Sequence, residues 1–156
     1  MTLRTKVSGR IAKPVHDVFE AVADPAKLSK YFATGAGTKG RLEAGATVMW
    51  EFHDFPGAFP VTVREVVQDK KIVLMWPSND DAAEGATFKP HENTVTFEFE
   101  GLDDGRTLVT ITEEGWAETP KGHKQALGNT EGWAGCLAAL KVWIEHGINL
   151  REGFYK

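Results

Sequence analysis

The fold is decided by residues 119–147, which read TPKGHKQALGNTEGWAGCLAALKVWIEHG and predict one long helix late in the chain. Thr119 is a helix-capping residue type, and Pro120 suits the first helical position. Gly147 follows His146 as the expected C-cap. An apolar stripe runs along the helix at three- and four-residue spacing, formed by Leu127, Thr130, Trp133, Leu137, Leu140 and Ile144. We therefore expect one face of this helix to pack against the rest of the protein.

Four glycines interrupt the helical pattern at 122, 128, 132 and 135. Each costs about 1 kcal/mol of helix propensity relative to alanine. Either the helix breaks near Gly128-Asn129, with Thr130 capping a new start, or another backbone or a ligand comes close to the helix here. Trp133 is expected to face the sheet, and the glycines beside it leave the helix surface bare.

A series of strands precedes the helix, predicted at 46–53, 59–68, 70–76, 93–100 and 106–113. Turn residues at 54–57 and 103–105 connect strands that must then be antiparallel. Residues 77–91 are rich in Pro, Asn, Asp, Ala and Gly and are longer than a usual hairpin connection. They are predicted to form a mobile or functional loop.

The beginning of the chain predicts a strand followed by two short helices. Residues 3–11 alternate apolar and polar side chains, as a half-buried strand does. Val15, Val18, Phe19 and Val22 then recur at helical spacing up to Asp24-Pro25, and Leu28, Tyr31 and Phe32 mark a second short helix. Together the elements predict an α+β, helix-grip fold, in which a curved antiparallel sheet wraps around the long C-terminal helix in a single domain, 1–156.

Composition excludes several classes of protein. The chain has 156 residues, of which 42% are hydrophobic and 26% charged, and this is ordinary for one globular domain. A net charge of −4 without a basic cluster gives no indication of nucleic-acid binding. The single cysteine, the absence of a signal-peptide core and the lack of an apolar run of roughly 20 residues predict a cytoplasmic protein with no membrane span. Either a monomer or a homodimer fits.

Three short patterns suggest a nucleotide site, a metal site or a nucleophile, and their sequence context supports none of them. Residues 35–40 match G-x-G-x-x-G, but a predicted helix precedes them and a strand follows, so we interpret them as a flexible connector. His91-Glu92 begins a H-E-x-x-H pattern that lacks its second histidine. We therefore expect no metal and no cofactor. Cys136 is interpreted as a small buried apolar side chain rather than a nucleophile.

Two glutamates are candidates for a cavity carboxylate. If Val63 faces the core, then Glu65 does too, and Ile111 in the same way brings Glu113 to the core face. Buried acids with shifted titration can serve acid–base chemistry. Alternatively, a bulge or a one-residue slip returns either one to solvent, or each is a structural partner of Lys or Arg.

The chain is rich in aromatic residues, with five tryptophans and nine phenylalanines. A concave sheet covered by only one long helix often surrounds a cavity that binds apolar ligands. For Trp76 and Trp133, core packing and cavity lining both fit. The expected lining residues are Trp50, Phe52, Trp76, Val95, Phe97, Trp133, Leu137 and Leu140.

Four segments carry a family resemblance: residues 11–19 (IAKPVHDVF), 24–28 (DPAKL), 71–76 (KIVLMW), and Gly132-Trp133 with the leucines of the last helix. On these, the chain resembles the START-like, Bet v 1-like (SRPBCC) superfamily, and more closely its branch named for the activator of Hsp90 ATPase homologue 1. The resemblance covers nearly the whole chain and implies the helix-grip fold. The superfamily hosts lipid carriers, cyclases and hormone receptors, so it implies architecture more than activity.

Three functions follow as hypotheses. The first is non-enzymatic binding of a small apolar or amphipathic molecule between the sheet and the last helix. The second is a cyclase- or hydrolase-type enzyme in which Glu65 or Glu113 is the acid or base. The third is a co-chaperone-like protein-interaction module, which requires an exposed apolar patch on the convex face of the sheet.

Overall fold

An antiparallel six-stranded sheet and one long helix form the architecture in the computed structural model, which describes residues 3–78 and 91–156. The strands lie in the order β1-β6-β5-β4-β3-β2, so β1 and β2 are the sheet edges. The elements are β1 (Leu3–Ile11), α1 (Val15–Ala23), α2 (Pro25–Leu28), β2 (Thr47–Phe52), β3 (Phe55–Val67), β4 (Lys71–Pro77), β5 (Glu92–Gly101), β6 (Thr107–Trp116) and α3 (Pro120–His146). The predicted α+β helix-grip fold is confirmed.

Helix α1 forms where the sequence predicts it, but α2 ends at Leu28, so Tyr31 and Phe32, which are expected in the second helix, lie in the turns after it. Helix α1 buries Val18, Phe19 and Val22 on one face. The Asp24 side chain then accepts a hydrogen bond from the Ala26 backbone N–H at 2.9 Å and so caps α2. These helices contribute to the same apolar core as the inner face of the sheet and α3.

The connection between β2 and β3 differs from the prediction. Strand β3 begins at Phe55, which pairs with Phe52, so the turn consists of His53 and Asp54 rather than residues 54–57. The early start of β3 brings the aromatic side chain of Phe55 close to the C-terminal residues. This hairpin is one side of the cleft described below.

The predicted loop at 77–91 is tested only at its ends. Pro77 is the last residue of β4, and the Ser78 N–H donates to the His91 carbonyl at 2.9 Å. Residues 79–90, which carry most of that prediction, lie outside the described residues.

Helix α3 is continuous, so of the two alternatives for its glycines the break near Gly128-Asn129 is wrong. The Thr119 side chain caps its start, and Gly147, with φ of 72°, ends it by donating its N–H to the Trp143 carbonyl at 2.7 Å. The placement of Leu127 on the buried stripe is also wrong, because its exposure is 74%. Its neighbour Ala126 is buried instead, since each residue turns the helix by about 100°.

The glycine-rich connector at 35–40 is shaped by close packing on β2. The Gly35 N–H donates to the Glu51 carbonyl at 2.7 Å, and a Cβ at Gly35 would lie 2.5 Å from the Glu51 Cγ. Gly40 has φ of 95°, in the region that favours glycine. These glycines therefore allow the connector to pack closely against β2, and the backbone hydrogen bond of Gly35 is made to that strand.

Alanine substitution of two α3 glycines should change stability in opposite directions. A Cβ at Gly122 would overlap the Ala117 carbonyl oxygen, whereas a Cβ at Gly128 meets no atom within 4 Å. We expect Gly122→Ala to destabilise the protein by about 1–3 kcal/mol through overpacking, and Gly128→Ala to stabilise it by about 1 kcal/mol through helix propensity. Urea denaturation measures both, and shifts of the same sign would contradict this account.

Candidate ligand-binding site

A cleft of about 460 Å³ opens between α3, the β2–β3 hairpin, the end of β4 and the C-terminal residues. Its aromatic walls are Phe32, Phe52, Phe55, Trp76, Trp133 and Tyr155. Its polar groups are Asn129, Glu131 and Arg151, and Gly128 and Gly132 expose helix backbone between them. We call this the aromatic cleft. Its volume and its few polar groups are typical of small-molecule sites.

Three rings of the cleft wall are stacked in succession. The Phe32 and Trp133 ring centroids lie 5.6 Å apart at 29°, and those of Trp133 and Trp76 lie 5.1 Å apart at 27°. Trp50 meets Trp76 edge-on from the core, and Phe97 meets Trp133 in the same way. The rings that line the cleft are therefore held in place by rings that fill the core.

Glu113 on β6 is fully buried, and four side chains hold its carboxylate. Oε1 accepts the Trp133 indole N–H at 2.7 Å. Oε2 accepts the Trp76 indole N–H and the Asn93 amide, both at 2.9 Å. The Asn129 amide nitrogen lies 3.1 Å from both oxygens. An ionised carboxylate only accepts hydrogen bonds, and all four of these side chains are neutral N–H donors. They can therefore satisfy both carboxylate oxygens without the help of a Lys or Arg side chain.

The Glu113 carboxylate thereby ties the sheet to the helix. Trp76 and Asn93 lie on β4 and β5, whereas Asn129 and Trp133 lie on α3. The indole donors hold both tryptophans in one orientation, and these two rings and Asn129 stand between the carboxylate and the aromatic cleft. Glu113 therefore positions the cleft wall without itself lining the cleft.

Of the two alternatives for Glu65, the placement on the core face is wrong, and the bulge that returns it to solvent is confirmed. The pairing of β3 with β4 shifts register between Val63 and Glu65, so the alternation of faces is interrupted there. The Glu65 carboxylate forms an ion pair with the Lys71 ammonium at 3.0 Å, and its side chain is 48% exposed. The two glutamates do not share a site.

The eight residues expected to line a cavity separate into two groups. Phe52, Trp76 and Trp133 line the aromatic cleft. Trp133 is only 2% exposed, which agrees with the predicted helix face. The other five belong to the core beneath or beside it: Trp50, Val95, Phe97, Leu137 and Leu140.

Several residues of the cleft and of the hydrogen bonds around Glu113 were not predicted from the sequence. Asn93 could have been found, because it shares the core-facing parity of Val95 and Phe97. Asn129 precedes Trp133 by four residues and so lies on the same side of the helix. Arg151 and Tyr155 follow Gly147, where no periodic pattern indicates that they fold back.

Residues 148–156, which we call the C-terminal segment, form one wall of the cleft. The Arg151 guanidinium pairs with the buried Asp54 carboxylate of the hairpin turn at 3.0 Å. The Tyr155 hydroxyl occupies the space that a Cβ at Gly135 would need, so the bare helix surface there receives the phenol. Burial raises the pKa of Tyr155, since its ring lies among apolar neighbours.

Cys136 is buried, as its interpretation as an apolar side chain predicts. Burial raises the pKa of its thiol, because the thiolate would be desolvated. Within residues 3–78 and 91–156, no three His, Cys, Asp or Glu side chains gather as metal ligands would.

A separate observation concerns membranes. Among the helices of the described segments, none combines the length and the apolar character that crossing a bilayer requires.

The sheet wrapped on one long helix, with a cleft between them, defines a helix-grip domain of a kind that supports ligand binding in general. The family described as Activator of Hsp90 ATPase homolog 1-like protein matches residues 12–145, and the chain belongs to this family. No curated protein matches the chain.

Solved structures are similar over nearly the whole length. The protein SSP2350 from Staphylococcus saprophyticus is 28% identical with a TM-score of 0.75, over 96% of each chain. The Aha1 dimer of Colwellia psychrerythraea gives 19% identity and a TM-score of 0.72, over 93% of this chain and 98% of that one. The protein MLL2253 from Mesorhizobium loti gives 16% and 0.75, over 94% and 99%. The last two likenesses show the fold alone.

Replacing Glu113 with glutamine should destabilise the protein despite the nearly equal shape. The glutamine side chain has an NH2 group in place of one carboxylate oxygen, so two N–H donors would face the donors that now bond to that oxygen, and the charge-assisted hydrogen bonds would be lost. We expect a loss of about 2–3 kcal/mol in the free energy of unfolding. The exposed neighbour Glu114 offers the matched control, Glu114→Gln, with little change. Equal stability of the two variants would show that the Glu113 charge is not needed.

Truncating Trp133 should cost more than removing its N–H alone. Trp133→Ala should destabilise the protein by about 3–5 kcal/mol, the usual loss for a buried aromatic residue. Trp133→Phe keeps a ring but leaves Glu113 Oε1 without its indole donor, so an intermediate loss is expected. Thermal unfolding monitored by circular dichroism compares them, and an unchanged melting temperature for the alanine variant would mean that the helix face is misassigned.

Proposed function

We propose that the protein binds a small apolar or amphipathic molecule in the aromatic cleft, without catalysing a reaction on it. The observation that carries this proposal is the cleft itself: about 460 Å³ of space with six aromatic residues and three polar side chains around it. Apolar surface contributes affinity in such sites, and a few polar groups orient the ligand.

The cleft wall is pre-organised, which supports a binding role. Trp76 and Trp133 are fixed by the buried Glu113 carboxylate and by the core rings behind them. A ligand therefore meets rings that need little further ordering, so less conformational entropy is lost on binding.

The glycines of α3 support the alternative in which a ligand comes close to the helix. The helix does not break at Gly128, so that explanation of the glycines is removed. A Cβ at Gly128 or Gly132 would meet no atom within 4 Å, and both residues line the cleft. Glycine at these two positions lowers the helix propensity. Because it has no side chain, a ligand can lie directly on the helix backbone there.

An enzymatic role has less support. Glu113 is covered by its four donors and does not reach the cleft, and Glu65 is on the solvent side of the sheet. A general acid or base must come within hydrogen-bonding distance of its substrate. Neither glutamate meets this condition, so binding is the better-supported function.

A co-chaperone-like role requires an exposed apolar patch, and residues 3–78 and 91–156 do not present one on the convex face of the sheet. The large apolar side chains that the described segments expose are scattered over β3, α3 and the C-terminal segment: Phe55, Val67, Leu127, Ile148 and Phe154. Only Phe55 and Val67 lie on a strand, and they are the first and last residues of β3, so they do not form a patch on the convex sheet face. A cytoplasmic location and the choice between monomer and homodimer stay predictions.

Binding can be tested by tryptophan emission, because two of the cleft rings are tryptophans. Lipids, aromatic compounds and polyketides titrated into the protein should quench or shift the emission if they enter the cleft. The absence of any change up to high micromolar concentration across all three classes would count against the proposal.

Filling the bare helix surface should separate stability from binding. We expect the double variant Gly128→Ala/Gly132→Ala to melt at a higher temperature, since each alanine adds about 1 kcal/mol of helix propensity. Its affinity for any molecule identified in the emission screen should fall by about tenfold, because two methyl groups project into the cleft.

The control for this experiment adds a methyl group elsewhere. Gly101 lies on β5, lines no part of the cleft, and has Val15 at 3.8 Å from an added Cβ. Gly101→Ala should leave affinity unchanged. If the double variant binds as tightly as the parent protein, the ligand does not lie on this helix face.

A further inference from the structure

Arg151 is the buried cation of the aromatic cleft. It is only 8% exposed although it lies in a short segment beyond the last helix. Arginine is rarely buried unless it is paired, because its charge is costly to desolvate. The usual role of arginine, to keep an exposed surface soluble, therefore does not explain its position in the cleft wall.

Aromatic rings hold the guanidinium plane. Its central carbon lies 4.3 Å from the Phe52 ring centroid, 4.9 Å from that of Tyr155 and 5.7 Å from that of Phe32. All three rings line the cleft. These cation–π contacts restrict the guanidinium to one orientation, so the directions of its N–H groups are fixed before any ligand arrives.

The ion pair with Asp54 uses only one edge of the guanidinium. Nε and Nη2 donate to the same oxygen, Asp54 Oδ1, at 3.1 Å and 3.0 Å. A guanidinium has five N–H donors, four of which form two forked edges, and the second edge is formed by one N–H of Nη1 and the outer N–H of Nη2. Among residues 3–78 and 91–156, no acceptor is bonded to Nη1.

The other charged group of the cleft does not compete for this edge. Glu131 lines the rim but is exposed, so solvent screens its repulsion of an incoming anion. Asp54 is buried on the opposite edge, and its Oδ2 has no partner among the described residues. The fork of two parallel donors thus remains available, and a carboxylate is the planar two-oxygen group that fits it.

We propose that Arg151 binds the carboxylate of the ligand, so that the aromatic cleft selects small acids with an apolar ring body over their neutral analogues. This inference rests on the proposed function, because it names the ligand class of the same cleft. The ring body lies against Trp133, Trp76 and the bare helix surface, and the acid group points toward the C-terminal segment.

The test compares acids with their primary amides, which keep the shape and lose the charge. Benzoic acid, naphthoic acid and anthracene carboxylic acid, each with its amide, are titrated into the full chain by tryptophan emission and calorimetry. The parent protein should bind at least one acid about tenfold or more tightly than its amide, since hydrogen bonds to charged groups are the strong ones.

Three variants test whether the Arg151 guanidinium causes the preference for the acid over its amide. In Arg151→Gln the acid-to-amide affinity ratio should fall to near one. Asp54→Asn/Arg151→Gln avoids leaving a buried charge unpaired and should give the same ratio, which covers the case in which the single variant fails to fold. Glu131→Gln removes the rim charge and should raise the ratio by about twofold.

The matched control removes an arginine elsewhere. Arg106 is exposed and pairs with Asp104 in the β5–β6 turn, so Arg106→Gln changes net charge equally and should keep the parent ratio. Equal binding of acid and amide by the parent protein, or a preference that survives in both Arg151 variants, would overturn the inference and leave the proposed function standing. If no ring compound of either form binds, the inference is overturned, and the proposed function is overturned with it only if lipids and polyketides also leave the tryptophan emission unchanged.

Discussion

The buried carboxylate of Glu113 is the interaction on which the rest of the structure depends. An acid without a cation is tolerated inside an apolar core only when its oxygens are fully hydrogen-bonded. Two indoles and two amides, taken from β4, β5 and α3, meet that requirement. Satisfying one buried charge therefore sets the distance and rotation of the helix relative to the sheet, and with them the shape of the cleft.

The helix α3 combines two faces with opposite composition. The face toward the core carries Trp133, Leu137 and Leu140, which are nearly fully buried. The neighbouring surface at Gly128 and Gly132 carries no side chain at all and borders open space. Packing on the first face keeps the helix continuous through the second, where its own propensity is poor.

The fold could be predicted from the sequence because its signals are local and periodic. Alternation in β1, the spacing of Val18, Phe19 and Val22 in α1, and the caps Thr119 and Gly147 all depend on neighbouring residues. Strand parity also found Glu113. At Glu65 parity gives the wrong face, and the bulge that the sequence leaves open as an alternative is present; the sequence could not decide between them, because a bulge leaves no periodic signal. Arg151 could not be placed, since its partner Asp54 is distant in the chain and no pattern joins them.

The wall made by the C-terminal segment has a consequence for biosynthesis. Arg151 and Tyr155 leave the ribosome after every strand and every helix described in this structure. The sheet, the Glu113 network and α3 can therefore assemble while the cleft is still open on one side. Closure of the cleft depends on two contacts of that segment with the β2–β3 hairpin, Arg151 with Asp54 and Tyr155 with Phe55. The cleft is therefore complete only after the C-terminal segment has been synthesised, whereas the hydrogen bonds of Glu113 do not require that segment.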